Sequence, residues 1–173
     1  SAYLAIAFTW LNYTPPGQKV EQVKIVVEDS ARTCFITPTE AITLLKRNRL
    51  YPVGKNTDSI RCKAIEEVLE KNTFIEDAEC YKTPVGNLCI YIKQRLPILR
   101  VMSDNGLNYY IDDKGHTMPG GSHAAHLPIA TGNIDKKMAE GSLYQLALLI
   151  SEDVFWKRQV EQINITPEGE IEL

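Results

Sequence analysis

The chain has 173 residues, 44% hydrophobic and 24% charged, with a formal net charge of −3. That is enough apolar material for one large core or two small lobes, and it excludes a disordered chain. It also argues against a nucleic-acid binder, which usually carries a basic patch or stripe; the run Lys46-Arg47-Asn48-Arg49 reads instead as a solvated helix end, where cations suit the dipole.

The first segment, Ala2 to Leu11, is apolar but far shorter than the roughly 20 residues that span a bilayer. The chain starts at Ser1 and not Met, so trimming is expected. Trp10 and Tyr13, meeting Asn12 and Pro15-Pro16, suit the outer end of a membrane helix. An ordinary N-terminal helix or strand docked on the core suits the same composition, and both readings stand.

Val20 to Val27 alternates with period two and predicts a strand. Cys34-Phe35-Ile36 reads as a short extended piece. Thr37-Pro38-Thr39-Glu40 then opens a helix. Thr37 caps it, Pro38 suits its first position, and Glu40 completes a capping box. Its apolar face is Ile42 and Leu45, and it ends near Asn48 or Arg49. A second helix is expected from about Ser59 to Lys71, capped by Asp58 or Ser59, with Ile60, Ala64, Ile65, Val68 and Leu69 at helical spacing. Glu76 to Lys82 and Leu88 to Gln94 form a hairpin about Thr83-Pro84-Val85-Gly86-Asn87. Ile90 and Ile92 share one face of it; Cys89, Tyr91 and Lys93 share the other. Residues 20–95 therefore read β-α-α-β-β, a small α+β unit.

Beyond residue 95, Ile98 to Met102, Tyr109 to Asp112 and Leu127 to Thr131 are strand-like runs between glycine turns. Leu143 to Ile150 supplies a helix face, with Ser142 as a cap. In Val160 to Thr166, Ile163 and Ile165 fall on one face, and Glu170 to Leu173 begins a further strand after Pro167-Glu168-Gly169. This half, residues 96–173, reads as a mainly antiparallel β domain with one or more helices. There is no internal repeat and no low-complexity segment.

Chemistry-bearing residues are few. His116, His123 and His126 lie around Thr117-Met118-Pro119-Gly120-Gly121, a flexible Gly-Pro loop that does not hold metal ligands rigidly. A hydrolase triad from Ser122, His116 and Asp112 lacks the nucleophile elbow and a placeable oxyanion hole. Val53-Gly54-Lys55-Asn56-Thr57 lacks the upstream glycine of a phosphate loop, and Glu66-Glu67 reads as a solvated helix face. Cys34, Cys62, Cys80 and Cys89 contain no CxxC pair; Cys80 and Cys89 flank the hairpin turn and face each other only if its register allows. Strand edges without a catalytic set point to a binding module working by strand addition.

Certain motifs carry a resemblance. Val23-Lys24-Ile25-Val26-Val27, Phe35-Ile36-Thr37, Tyr51-Pro52-Val53-Gly54-Lys55 and Ile65 to Asn72 with Phe74-Ile75 resemble a POTRA domain. Ile90 to Ile98, with Arg95-Leu96-Pro97 at the strand exit, and Tyr109 to Gly115, with Asp112 and Gly115 in the turn, resemble the FtsQ/DivIB pattern. So do Thr131-Gly132 and the helix after it. The wording is nearest to FtsQ-type proteins of the Bacteroidetes group. The resemblance implies a cytoplasmic tail, one inner-membrane helix, and POTRA and β domains in the periplasm. It implies no catalysis, no cofactor, and partners of FtsB and FtsL type. The resemblance implies that FtsB-type partners add a strand near the end of the β domain, which makes Ile163, Ile165, Ile171 and Leu173 the candidates for the partner-proximal edge; the family's last strands are expected beyond Leu173. Arg95, Pro97, Asp112 and Gly115 are expected to be structural, Arg95 as a hydrogen-bond donor at the domain junction and Asp112 as a turn former. The alternatives are a POTRA-type protein of outer-membrane assembly or secretion, and a small periplasmic hydrolase using the His116/His123/His126 loop.

Overall fold

The computed structural model describes residues 17–28, 35–121 and 127–173. The reading of residues 2–11, the placement of Cys34, and the positions of Ser122, His123 and His126 lie outside them. The chain divides into two compact units after Gln94.

The first unit is α+β in the order β-α-α-β-β. Strands β1 (Val23–Val27), β2 (Ile75–Lys82) and β3 (Leu88–Gln94) form a sheet in the order β1-β3-β2. β1 runs parallel to β3 and β2 antiparallel to it. Helices α1 (Pro38–Arg47) and α2 (Cys62–Glu70) supply Ala41, Leu45, Ile65 and Leu69 to the core, against Ala78, Leu88, Ile90 and Ile92 of the sheet. Burying such side chains is the main stabilising term, roughly 2 kcal/mol for each large one.

The start of α1 follows from its sequence. The Thr37 hydroxyl accepts from Glu40 N–H at 3.2 Å, and the Glu40 carboxylate accepts from Thr37 N–H at 2.8 Å. α2 begins differently from the expected cap at Asp58 or Ser59. Asn56 instead caps a 3-10 turn, Thr57–Ser59, and the α-helix starts at Cys62 behind Arg61, which makes no capping bond. The β2–β3 register pairs Cys80 with Ile90 and Tyr81 with Cys89. Cys80 and Cys89 are one position out of step and so lie on opposite faces of the sheet, which excludes a bridge between them.

The second unit holds a six-stranded sheet in the order β6-β5-β4-β7-β8-β9. Its strands are β4 (Pro97–Ser103), β5 (Asn108–Asp112), β6 (Thr117–Pro119), β7 (Ile129–Gly132), β8 (Gln162–Ile165) and β9 (Ile171–Glu172). Three pairings are antiparallel; β4–β7 and β7–β8 are parallel. Ala139, Leu143, Ala147 and Ile150 cover one face, packed with Leu99, Val101, Ile111, Ala130, Ile163 and Ile165.

Two local expectations change here. Thr117–Pro119, read as flexible loop, is an edge strand with Met118 buried; Pro119 is tolerated because an edge leaves one N–H position unused. The helix begins well before Ser142. Asp135 caps α3 (Lys136–Met138), accepting from Met138 N–H at 2.7 Å, and the chain runs on through a π-helical stretch, Ala139–Leu143, into α4 (Tyr144–Glu152). A further helix, α5 (Val154–Gln159), follows on an Asp153 cap. Among the described residues no helix is long and apolar enough to cross a membrane.

Candidate functional site

Strand addition requires a margin whose main-chain groups are free, and the sheet margins differ in this respect. β2 is partly closed: the Cys80 N–H is taken by the Glu66 carboxylate at 2.9 Å. β1 carries the exposed Lys24, a charge of the kind that discourages edge pairing. β6 includes Pro119, which has no N–H.

β9 is different. The turn before it is closed by Thr166 N–H donating to the Glu170 carbonyl at 3.0 Å, and by Glu170 N–H donating to the Thr166 hydroxyl at 3.2 Å. Main-chain groups alternate in direction along a strand. With Glu170 turned toward β8, Glu172 also faces β8, and the N–H and C=O groups of Ile171 and Leu173 face outward. The register pairs Ile171 with Ile165 and Glu172 with Asn164, which places Leu173 opposite Ile163. The Glu172 carboxylate is drawn onto Asn164 Nδ2 at 3.0 Å.

The four candidate edge residues thus lie on one face but in two environments. Ile163 and Ile165 are core residues of an inner strand, fully covered. Ile171 and Leu173 continue that apolar row to the rim, 43% and 66% exposed. Among the described residues β9 is the outer strand on this side of the sheet, and Ile163 and Ile165 lie beside it on β8.

A second feature of this unit was not legible in the sequence. Leu149, Val154, Phe155 and Trp156 are exposed, beside Lys157 and Arg158. Phe155 and Trp156 meet edge to face, with centroids 5.3 Å apart. The available signal was Asp153 as a cap ahead of an aromatic pair and two cations. Next to them a groove of about 650 Å³ is lined by Pro97, Ile129 and Val160 among others, with Lys157, Arg158 and Glu161 as its ionisable groups. Its composition suits polypeptide contact better than acid–base chemistry, which needs converging titratable groups.

The Arg95 and Asp112 positions form one constellation within the second unit. Asp112 is 1% exposed. One of its oxygens accepts the N–H groups of Lys114 at 3.0 Å and His116 at 2.7 Å. The other accepts from Arg95 Nη1 at 3.0 Å. His116 Nδ1 stands 3.2 Å from the same guanidinium nitrogen. Gly115, at φ +81°, completes the turn, and the Tyr144 ring lies against it while its hydroxyl donates to the Asp113 carbonyl at 3.1 Å. Pro97 begins β4 opposite Asp112. The Asp112 carboxylate is committed to holding a turn. Among the described residues no group of histidine, cysteine and carboxylate side chains is arranged to hold a metal ion.

A small β-α-α-β-β unit followed by a unit with a mixed six-stranded sheet defines a two-module protein of POTRA-plus-β type. A family model described as a POTRA-like domain matches residues 18–93, and one described as FtsQ/DivIB, C-terminal related, matches residues 96–173. The chain thus carries a POTRA-like domain followed by an FtsQ/DivIB C-terminal-related domain, a pair of matches that supports a place in cell division. No curated protein matches the chain significantly.

Proposed function

We propose that the chain is a non-catalytic scaffold of the division machinery that holds other division proteins by strand addition at β9. The observation that carries this reading is the outward main chain of Ile171 and Leu173, set in line with the buried Ile165 and Ile163. A partner strand laid there would gain main-chain hydrogen bonds and cover two exposed apolar side chains. Partners of FtsB and FtsL type fit this role. The family resemblance supports a place in the periplasm, anchored in the inner membrane by a helix upstream. The match over residues 96–173 favours division over outer-membrane assembly or secretion, since it covers the whole second unit. The commitment of Asp112 to its turn speaks against a hydrolase built on His116.

The test is binding of the chain to the exported regions of FtsB- and FtsL-type partners. Ile171→Pro removes an outward N–H without touching the β8 pairing, and is expected to weaken association about tenfold or more. Lys24→Ala, on the first sheet, is expected to leave it unchanged. Absence of association with either partner would sink the scaffold reading, while full-strength binding by Ile171→Pro would move the contact away from β9.

A further inference from the structure

Cys62 is the first residue of α2, and Glu66 lies one turn further along the same face. That face is held over β2, because the Glu66 carboxylate accepts the Cys80 N–H at 2.9 Å. Cys80 points to the helix-covered side of the sheet and is buried. Cys62 is half-buried and packs on the same core cluster. The Cys62 side chain lies close enough to the Cys80 thiol to raise it. Cys89, on the opposite face, is remote from both by register.

We infer that Cys62 and Cys80 form a disulfide site that ties α2 to the edge strand β2 once a small disulfide oxidant is present. This goes beyond the scaffold reading and does not depend on it. Cys62, the more exposed sulfur, attacks one sulfur of an oxidant such as oxidised glutathione and expels one glutathione thiol. Cys80 then gives up its proton and attacks the Cys62 sulfur, expelling the second. The protein loses two electrons and two protons, and the oxidant's disulfide leaves as two thiols. Burial pushes the Cys80 thiol far above its usual range, followed by the contact with Cys62 and the charge of Glu66, so the second step is the slow one.

The bridge closes α2 and β2 into one loop, which restricts the unfolded chain and leaves the native packing in place. Oxidation is expected to raise the melting temperature of the first unit by about 10 °C. The experiment holds the folded chain in glutathione buffers of rising oxidised fraction, alkylates the free thiols, and maps the peptides by mass. The expected product joins the Cys62 and Cys80 peptides with the loss of two hydrogens and leaves Cys89 alkylated. Cys62→Ser is expected to melt like the reduced chain and to show no response to oxidant; as a half-buried position it tests the idea even if Cys80→Ser fails to fold. The inference is overturned if both thiols remain alkylatable in excess oxidant, if the bridge forms only in denaturant, or if Cys80 pairs with Cys34 or Cys89 instead.

Discussion

The two units organise their sheets by different means. In the first, β2 and β3 are consecutive strands joined by a short turn, and β1 adds to β3. In the second, β4, β7 and β8 run parallel side by side, brought together across long connections. Neighbouring residues can set the register of a hairpin, whereas a parallel set depends on close main-chain approaches that no local pattern announces. The approach that matters most is at Gly132, the end of β7. A Cβ placed there would lie 2.1 Å from the Ile165 carbonyl oxygen, and the residue has φ +101°. Gly132→Ala is therefore expected to give the largest effect in the molecule, a loss of roughly 4 kcal/mol or more in the second unit. Hydrogen exchange followed by peptide should show β7 and β8 opening while β2 and β3 keep their protection. Equal loosening of both units would mean that they do not behave as separate folding bodies.

The same contrast reappears in how each unit fixes a turn. Thr37 starts α1 on the surface, with water ready to replace its capping bond; Thr37→Ala is expected to cost about 1 kcal/mol. Asp112 does comparable work from the interior, where it holds two main-chain donors and the Arg95 guanidinium. Asp112→Ala takes the carboxylate acceptor from all of these and is expected to cost roughly 3 kcal/mol. Chemical denaturation of the two variants gives the comparison directly. Similar losses would mean that the Asp112 donors find other acceptors once the carboxylate is gone.

The sequence was most legible where local chemistry decides the structure. The capping box at Thr37 and Glu40, the alternation of Leu88, Ile90 and Ile92, and the turn at Gly86 each state their own geometry. It was least legible where a neighbour in space decides. β6 is three residues ending in a proline, and only its pairing with β5 makes it a strand. Ser142 resembles a helix start, but the π-helical stretch carries the helix through it and lets Ala139 and Leu143 both face the core. α5 shows three successive apolar residues with no helical period, because most of that helix is exposed. For the site, alternation revealed the apolar row of Ile163 and Ile165. That these belong to an inner strand follows only from the pairing of β9 onto β8. Nor does spacing along the chain bring Cys62 and Cys80 together, since their meeting depends on how α2 lies across β2.

The smallest expected effect inverts the Asp112 result. Tyr109, on β5, buries a hydroxyl that finds no hydrogen-bond partner among the described residues. A buried polar group without a partner weakens the fold, so Tyr109→Phe is expected to be neutral or to stabilise the second unit by up to about 1 kcal/mol at neutral pH. Burial, then the charges of Glu140 and Asp135, push the Tyr109 hydroxyl above its ordinary value. A group raised in this way keeps its proton longer in the folded state than in the unfolded one. Its contribution is complete below the unfolded value near 10 and is lost as the pH climbs toward the folded value. Phenylalanine has no proton to lose, so the advantage of Tyr109→Phe over the parent chain should widen above about pH 10. Paired denaturation curves at neutral and alkaline pH measure that difference, and other alkaline titrations common to both chains cancel. If the gap stays constant with pH, or if the variant is the weaker protein at neutral pH, the hydroxyl has an acceptor after all.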